Sequence, residues 1–257
     1  MLKELGELYR GVGAYARACP WLFMLPVGVE FIQHVGEVSI GMYDGYAQAE
    51  AVGAHPLRTG LGFAKTVALI VSTYWVIRFL QAGPAQAANG NAFRTFAPVF
   101  AWSVAWSAAG LWGGNVLAAA GVPAEALMPI GLGTFLGLFL FELGLAAWKS
   151  AAAIGDGRIG FARSLTLSRG SWLWALGFTL AAVLPPMVLH HALNLGAIGR
   201  TPAMVWTLLV LDSLLVGYLA ALLAGTNLFI ARRVAARAGL TLEAQAPAGP
   251  ELRPALG

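Results

Sequence analysis

The residues of this chain best equipped for chemistry lie where they are least expected, inside apolar stretches. Pro20–Tyr43, PWLFMLPVGVEFIQHVGEVSIGMY, is long enough to cross a bilayer, yet it carries Glu30, Gln33, His34 and Glu37. Spacings of three, four and seven put Glu30, His34, Glu37 and Gly41 along one side of a helix. Hydrocarbon is a poor solvent for such a stripe, so it is expected to face protein or water inside a bundle. Elsewhere Lys65, His190, His191 and Asp212 also sit within or at the edge of apolar runs. Imidazole and carboxylate ligate zinc or iron, and His34 with Glu30 or Glu37 has workable helical spacing. Axial histidines could hold a b-type haem between His34 and His190 or His191. Titratable groups lining a wet cavity could instead pass protons or cations. No HExxH, GxSxG or phosphate-cradling glycine loop is present. No cofactor is therefore expected as the first reading, and a divalent metal or haem at His34 and His190 stands as the alternative.

The elements that must position these residues are membrane spans. The chain has 257 residues, of which 58% are hydrophobic and only 11% charged, with a mean hydropathy of +0.71. A soluble domain is about 25% charged. The reading is an all-α integral membrane protein of six transmembrane helices, near 20–43, 61–82, 93–120, 125–147, 171–196 and 201–230. Residues 1–18, with Leu2, Leu5, Leu8, Val12 and Tyr15 at helical spacing, predict an amphipathic interfacial helix and not a cleavable signal. Pro20 marks the break before the first span. The polar connection 149–170 predicts a short interfacial helix before the fifth span, with Ser168 or Ser171 as a cap. Pro185-Pro186 predicts a break or kink within that span. Residues 1–239 read as one bundle and 240–257 as a disordered cytoplasmic tail.

Charge gives the topology. With the N-terminus inside, every one of the 16 Lys and Arg except Arg58, Lys65 and Arg200 falls on the cytoplasmic side. That bias closes only for an even span count, so both termini are expected inside. At about 1.5 Å per residue, His34, Glu37, Lys65, His190, His191 and Asp212 then share the outer half, with Glu30 near the midplane. Adjacent His190 and His191 point about 100° apart, so at most one is expected to join well. Arg78 and Glu142 reach similar depth in the inner half and are expected to pair. Glycines at 110, 114, 133, 137 and 144 predict faces for close helix packing, within the chain or with other membrane proteins. Cys19 reads as an unmodified juxtamembrane thiol and His55 as an exposed loop residue. No basic cluster with interleaved aromatics suggests nucleic acid as a partner.

The run Arg163-Ser164-Leu165-Thr166-Leu167-Ser168-Arg169-Gly170-Ser171 resembles a segment of a loose group of polytopic bacterial membrane proteins. That group includes the membrane domain of glycerophosphoryl diester phosphodiesterases, and Leu165 stands where it usually has Trp. The resemblance implies a bacterial inner-membrane bundle of unknown or accessory function, and a non-enzymatic protein is expected. No stretch here resembles the soluble phosphodiesterase domain, so no catalytic residue carries over.

Overall fold

A computed structural model describes residues 1–244 as helices and their connections, with no strand among them. Helix α1 (Leu2–Ala18) meets α2 (Pro20–Ser39) at a bend of 95°. Pro20 takes the first position of α2, where its missing N–H costs no hydrogen bond. After the short α3 (Tyr46–Ala51) comes α4 (Pro56–Ala82), then the one-turn α5 (Pro84–Ala87) and a 3-10 turn at Gly90–Ala92. The long pair α6 (Phe93–Ala119) and α7 (Ala124–Gly144) follows, and α8 (Ala146–Ile154) and α9 (Phe161–Ser168) lead into α10 (Trp172–Ala197) and α11 (Pro202–Arg237). Helices α4, α7, α10 and α11 are long and apolar enough to cross a membrane, and the bent pair α1–α2 makes a fifth when counted as one span.

Helix α11 is the axis of the bundle. It packs against α10, α2, α4, α8 and α1, and small residues let them approach. A Cβ at Gly217 would collide with Val27 of α2, and one at Gly225 with Leu8 of α1. The main core gathers Leu8, Val12, Ile77, Phe178, Leu222 and Leu228, all fully buried. Helix α1 thus sinks the apolar stripe expected to lie in the interface against protein. Leu8, Val12 and Tyr15 are buried, and only Leu2 at its start is bare.

Several expectations are corrected. The fourth span ends at Gly144, not 147, because the chain breaks there and restarts as α8. Seven of the nine residues of α8 are buried. Neither Ser168 nor Ser171 caps α10 through its side chain. Ser164 and Ser168 instead donate to the Gly144 carbonyl, at 2.7 and 3.0 Å, satisfying an acceptor that the α7–α8 break exposes. The two prolines do not divide the fifth span either, since α10 is assigned as one helix through both. Pro186 cannot donate to the carbonyl of Ala182, and the Tyr9 hydroxyl of α1 does so in its place at 2.7 Å. His55 accepts from the Leu57 N–H at 3.2 Å, so this loop residue caps α4. The tail does not come free at Leu240. Leu242 O accepts from Gln81, and Thr241 O from Arg158. The rest of the tail expected to be disordered, residues 245–257, lies outside the described residues.

Candidate functional site

The C-terminal ends of α2 and α10 and the N-terminal ends of α4 and α11 bring six of the seven candidate residues together. His34 is the hub, only 1% exposed. Its Nδ1 lies 3.0 Å from Glu37 Oε2 and its Nε2 3.0 Å from Asp212 Oδ2 and 3.5 Å from Glu30 Oε1. The two glutamates reach His34 from one turn below and one turn above on the same helix, as the three-and-four spacing demands. Asp212, fully buried on α11, also faces His190 of α10, whose Nδ1 lies 2.7 Å from its Oδ1. Lys65 of α4 closes the inner end of the network, with Nζ 2.9 Å from Glu30 Oε2. His191 is the one left out. It points to the exposed side of α10, with its ring 5.1 Å from that of His190 and no polar partner among the described residues.

Four further residues complete the network. Arg58 Nε donates to Glu37 Oε1 at 3.1 Å, and Gln33 Nε2 to the same oxygen at 2.9 Å. The Tyr43 hydroxyl lies 2.9 Å from Glu37 Oε2 and 3.1 Å from Asn194 Oδ1, and Asn194 Nδ2 donates to Asp212 Oδ2 at 2.6 Å. Arg58 passes in sequence for a loop charge. Asn194 did leave a signal: it stands four residues after His190, on the same face of a helix. Tyr43 is reached only because the chain turns after α2, through a Gly41 at φ +76°.

The charges nearly balance. Three carboxylates, Glu30, Glu37 and Asp212, face two fixed cations, Lys65 and Arg58. His34 has a carboxylate against each ring nitrogen, and an imidazole donates from both only when it carries both protons. One proton added to neutral His34 therefore satisfies both contacts and neutralises the excess negative charge. The network reaches the surface most at Arg58, and less at Lys65 and His190. Arg58 is 37% exposed, and Tyr43 also lines a cavity of about 280 Å³ with Asp44, Arg200 and Trp206. On the other side of Asp212, α11 turns apolar residues inward, with Val216, Leu219 and Leu222 buried. A haem with His34 and His190 as axial ligands does not fit, because the carboxyl of Asp212 bonds both rings and fills the space between them.

The expected Arg78–Glu142 pair is not formed. Arg78 is buried but gives its guanidinium to Gln86 O at 2.8 Å, Gln86 Oε1 at 3.1 Å and Ala153 O at 3.2 Å, stapling the α5 loop to the end of α8. Glu142 pairs with Lys149, just beyond the α7–α8 break, and accepts from Trp102 Nε1 at 3.0 Å. Equal depth did not decide the pairing; each group found a partner nearer to its own loop. Comparison of the chain with family models, with curated proteins and with solved structures gives no match.

Proposed function

We propose that this protein is a small transporter or proton/cation pathway in a bacterial inner membrane, with the buried network of α2, α4, α10 and α11 as its ion site. In this reading the chain crosses the membrane six times with both termini cytoplasmic. Helix α6 then serves as a span despite Ser103, Ser107 and Asn115, and the skew of Lys and Arg sets the orientation. The likeness of 163–171 to the phosphodiesterase membrane-domain group supports the same setting.

The observation that carries the reading is His34 held between Glu37 and Asp212 at 3.0 Å each. Ionisable groups within a span are costly, and where they persist they mark ion paths and proton relays. Polar contacts run from Asp212 through His34 and Glu37 to exposed Arg58 and end in apolar packing on the other side. Passage therefore needs the helices to move. Pro26 in α2 and Pro185-Pro186 in α10 supply points where the backbone ladder is already open. The test is proton flux into vesicles holding the purified protein and a pH-sensitive dye, under an imposed pH gradient. Flux above protein-free vesicles, lost in a folded His34→Ala variant, is expected. Wild-type protein that passes no more than empty vesicles sinks the reading.

A second reading has its own observation. The network ties α4 and α10 to fully buried groups of α2 and α11, which suits a non-enzymatic accessory or assembly protein whose ionic contacts fix helix register. Under it, Glu30→Gln and His34→Ala lower stability and no flux exists to lose.

A further inference from the structure

We propose that Glu30, His34 and Asp212 form a binding site for a divalent transition-metal ion of the zinc type, with Glu37 positioning the histidine. This rests on reading the network as a cation site, and it names the cation. One ligand atom from each of the three residues can be chosen so that all lie within 4.8 Å of one another, and all three residues are buried. Ligand atoms at 2.0–2.1 Å from a tetrahedral ion stand about 3.3 Å apart. His34 Nε2 is 3.0 Å from Asp212 Oδ2 and 3.5 Å from Glu30 Oε1, so both pairs made by the histidine are spaced for such an ion, and the third pair lies within 4.8 Å.

Two further observations point to a ligand. The first is the other side of His34. Histidines that bind metal give their second ring N–H to a carboxylate, which fixes tautomer and ring orientation. Glu37 Oε2 stands 3.0 Å from Nδ1 for this, itself steadied by Gln33, Tyr43 and Arg58. The second is Glu30, only 1% exposed, whose Oε2 is met among the described residues by the ammonium of Lys65 alone. Lys65 Nζ lies 2.9 Å away but directs its bond to Oε1. Lys65 is 20% exposed and on a flexible stem, so an arriving dication can displace its ammonium from Glu30. His190 and Asn194 hold Asp212 from α10. Three protein ligands leave a fourth position open, whereas structural zinc sites are closed by four.

The experiment is equilibrium dialysis of the full, untagged chain in detergent against Zn²⁺, with elemental analysis and Mg²⁺ as the competing hard cation. About one zinc per chain, undisturbed by Mg²⁺, is expected. Binding should be lost in Glu30→Gln and Asp212→Asn, weakened about 10–100-fold in Glu37→Gln, and unchanged in His191→Ala. Lys65→Met should tighten it by removing the competing ammonium, and this variant decides the matter if Asp212→Asn does not fold. No zinc on the wild type, or zinc held equally by Glu30→Gln and wild type, overturns the site. Proton flux without zinc binding removes this inference and leaves the pathway reading standing. Zinc binding without flux of protons or zinc does the reverse.

Discussion

The outer network and the α6–α7 hairpin solve the membrane problem in opposite ways. Around His34, costly charges are buried at 0–2% exposure and matched to partners on neighbouring helices. In the hairpin almost nothing is buried: only 6% of the most apolar window of α7 is covered by the rest of the chain. Its glycines show the contrast best. A Cβ at Gly110, Gly113, Gly114, Gly131, Gly133 or Gly137 would meet nothing within 4 Å, whereas at Gly217 or Gly225 it would overlap a neighbour. Helix α7 is joined to the bundle at its foot, through Glu142 with Lys149 and through Gly144 under Trp172 and Leu165, while α6 packs along α4, with Trp112 edge-on to Phe63. In lipid, then, polar partners specify where a helix sits, and an apolar surface by itself does not, because acyl chains serve it equally well.

The sharpest way to break this comparison is to remove one charge. Asp212→Ala leaves His34 and His190 without their shared acceptor and removes one of the three carboxylates of the network. Breaking a buried ionic network costs about 3–5 kcal/mol. The expected outcome is a large fall in the thermal midpoint of the detergent-solubilised protein, with a smaller fall for the isosteric Asp212→Asn. A midpoint unchanged in Asp212→Ala means that the network does not hold the helices.

Next in size is one glycine chemistry tested in both regions. Gly225→Leu forces Leu8 and Leu80 aside at the α1–α11 crossing, and overpacking of this kind costs about 1–3 kcal/mol. Gly131→Ala in α7 has open space to enter and should stabilise that helix by up to about 1 kcal/mol, through propensity alone. Opposite signs in denaturation by a harsh detergent check the contrast. If Gly131→Ala destabilises, its face is covered by something outside the chain.

How much of this was legible beforehand follows the same division. The stripe Glu30–His34–Glu37 is readable because helical spacing fixes neighbours within one element, and the expected common level of Lys65, His190 and Asp212 named residues that do meet in one network. Depth alone failed for Arg78 and Glu142. It gives height in the membrane but not the angle around the bundle axis, and loop groups such as Gln86 and Lys149 competed for both. Glycine spacing was equally mute about which faces would meet: Gly217 and Gly225 close a helix crossing, while Gly110 and Gly114 do not. The prolines of α10 were read for the donors they lack, but the supply of a replacement donor by Tyr9 needs the fold.

The smallest expected effect lies between the two regions, just past α8. Asp156 is buried beside the backbone at Glu243, whose N–H lies 3.4 Å from Oδ2, and accepts from Arg158 Nε and Nη2 at 2.9 and 2.8 Å. The Arg158 guanidinium hydrogen-bonded to it holds its carboxyl below the usual carboxylate range, against the opposing push of burial. A carboxyl depressed in the folded state contributes stability that is fully present above its unfolded pKa, about 3.9, and is lost as pH falls through the lower folded value. Wild type should therefore exceed Asp156→Asn in thermal midpoint by a constant small margin at neutral pH. The margin should persist down to about pH 4 and close in stronger acid. Because Arg158 is half open to water, added salt should narrow the neutral-pH margin as well. A margin that instead grew on acidification would mean that Asp156 is held by burial, not by Arg158, and that the foot of the bundle gains nothing from this charge.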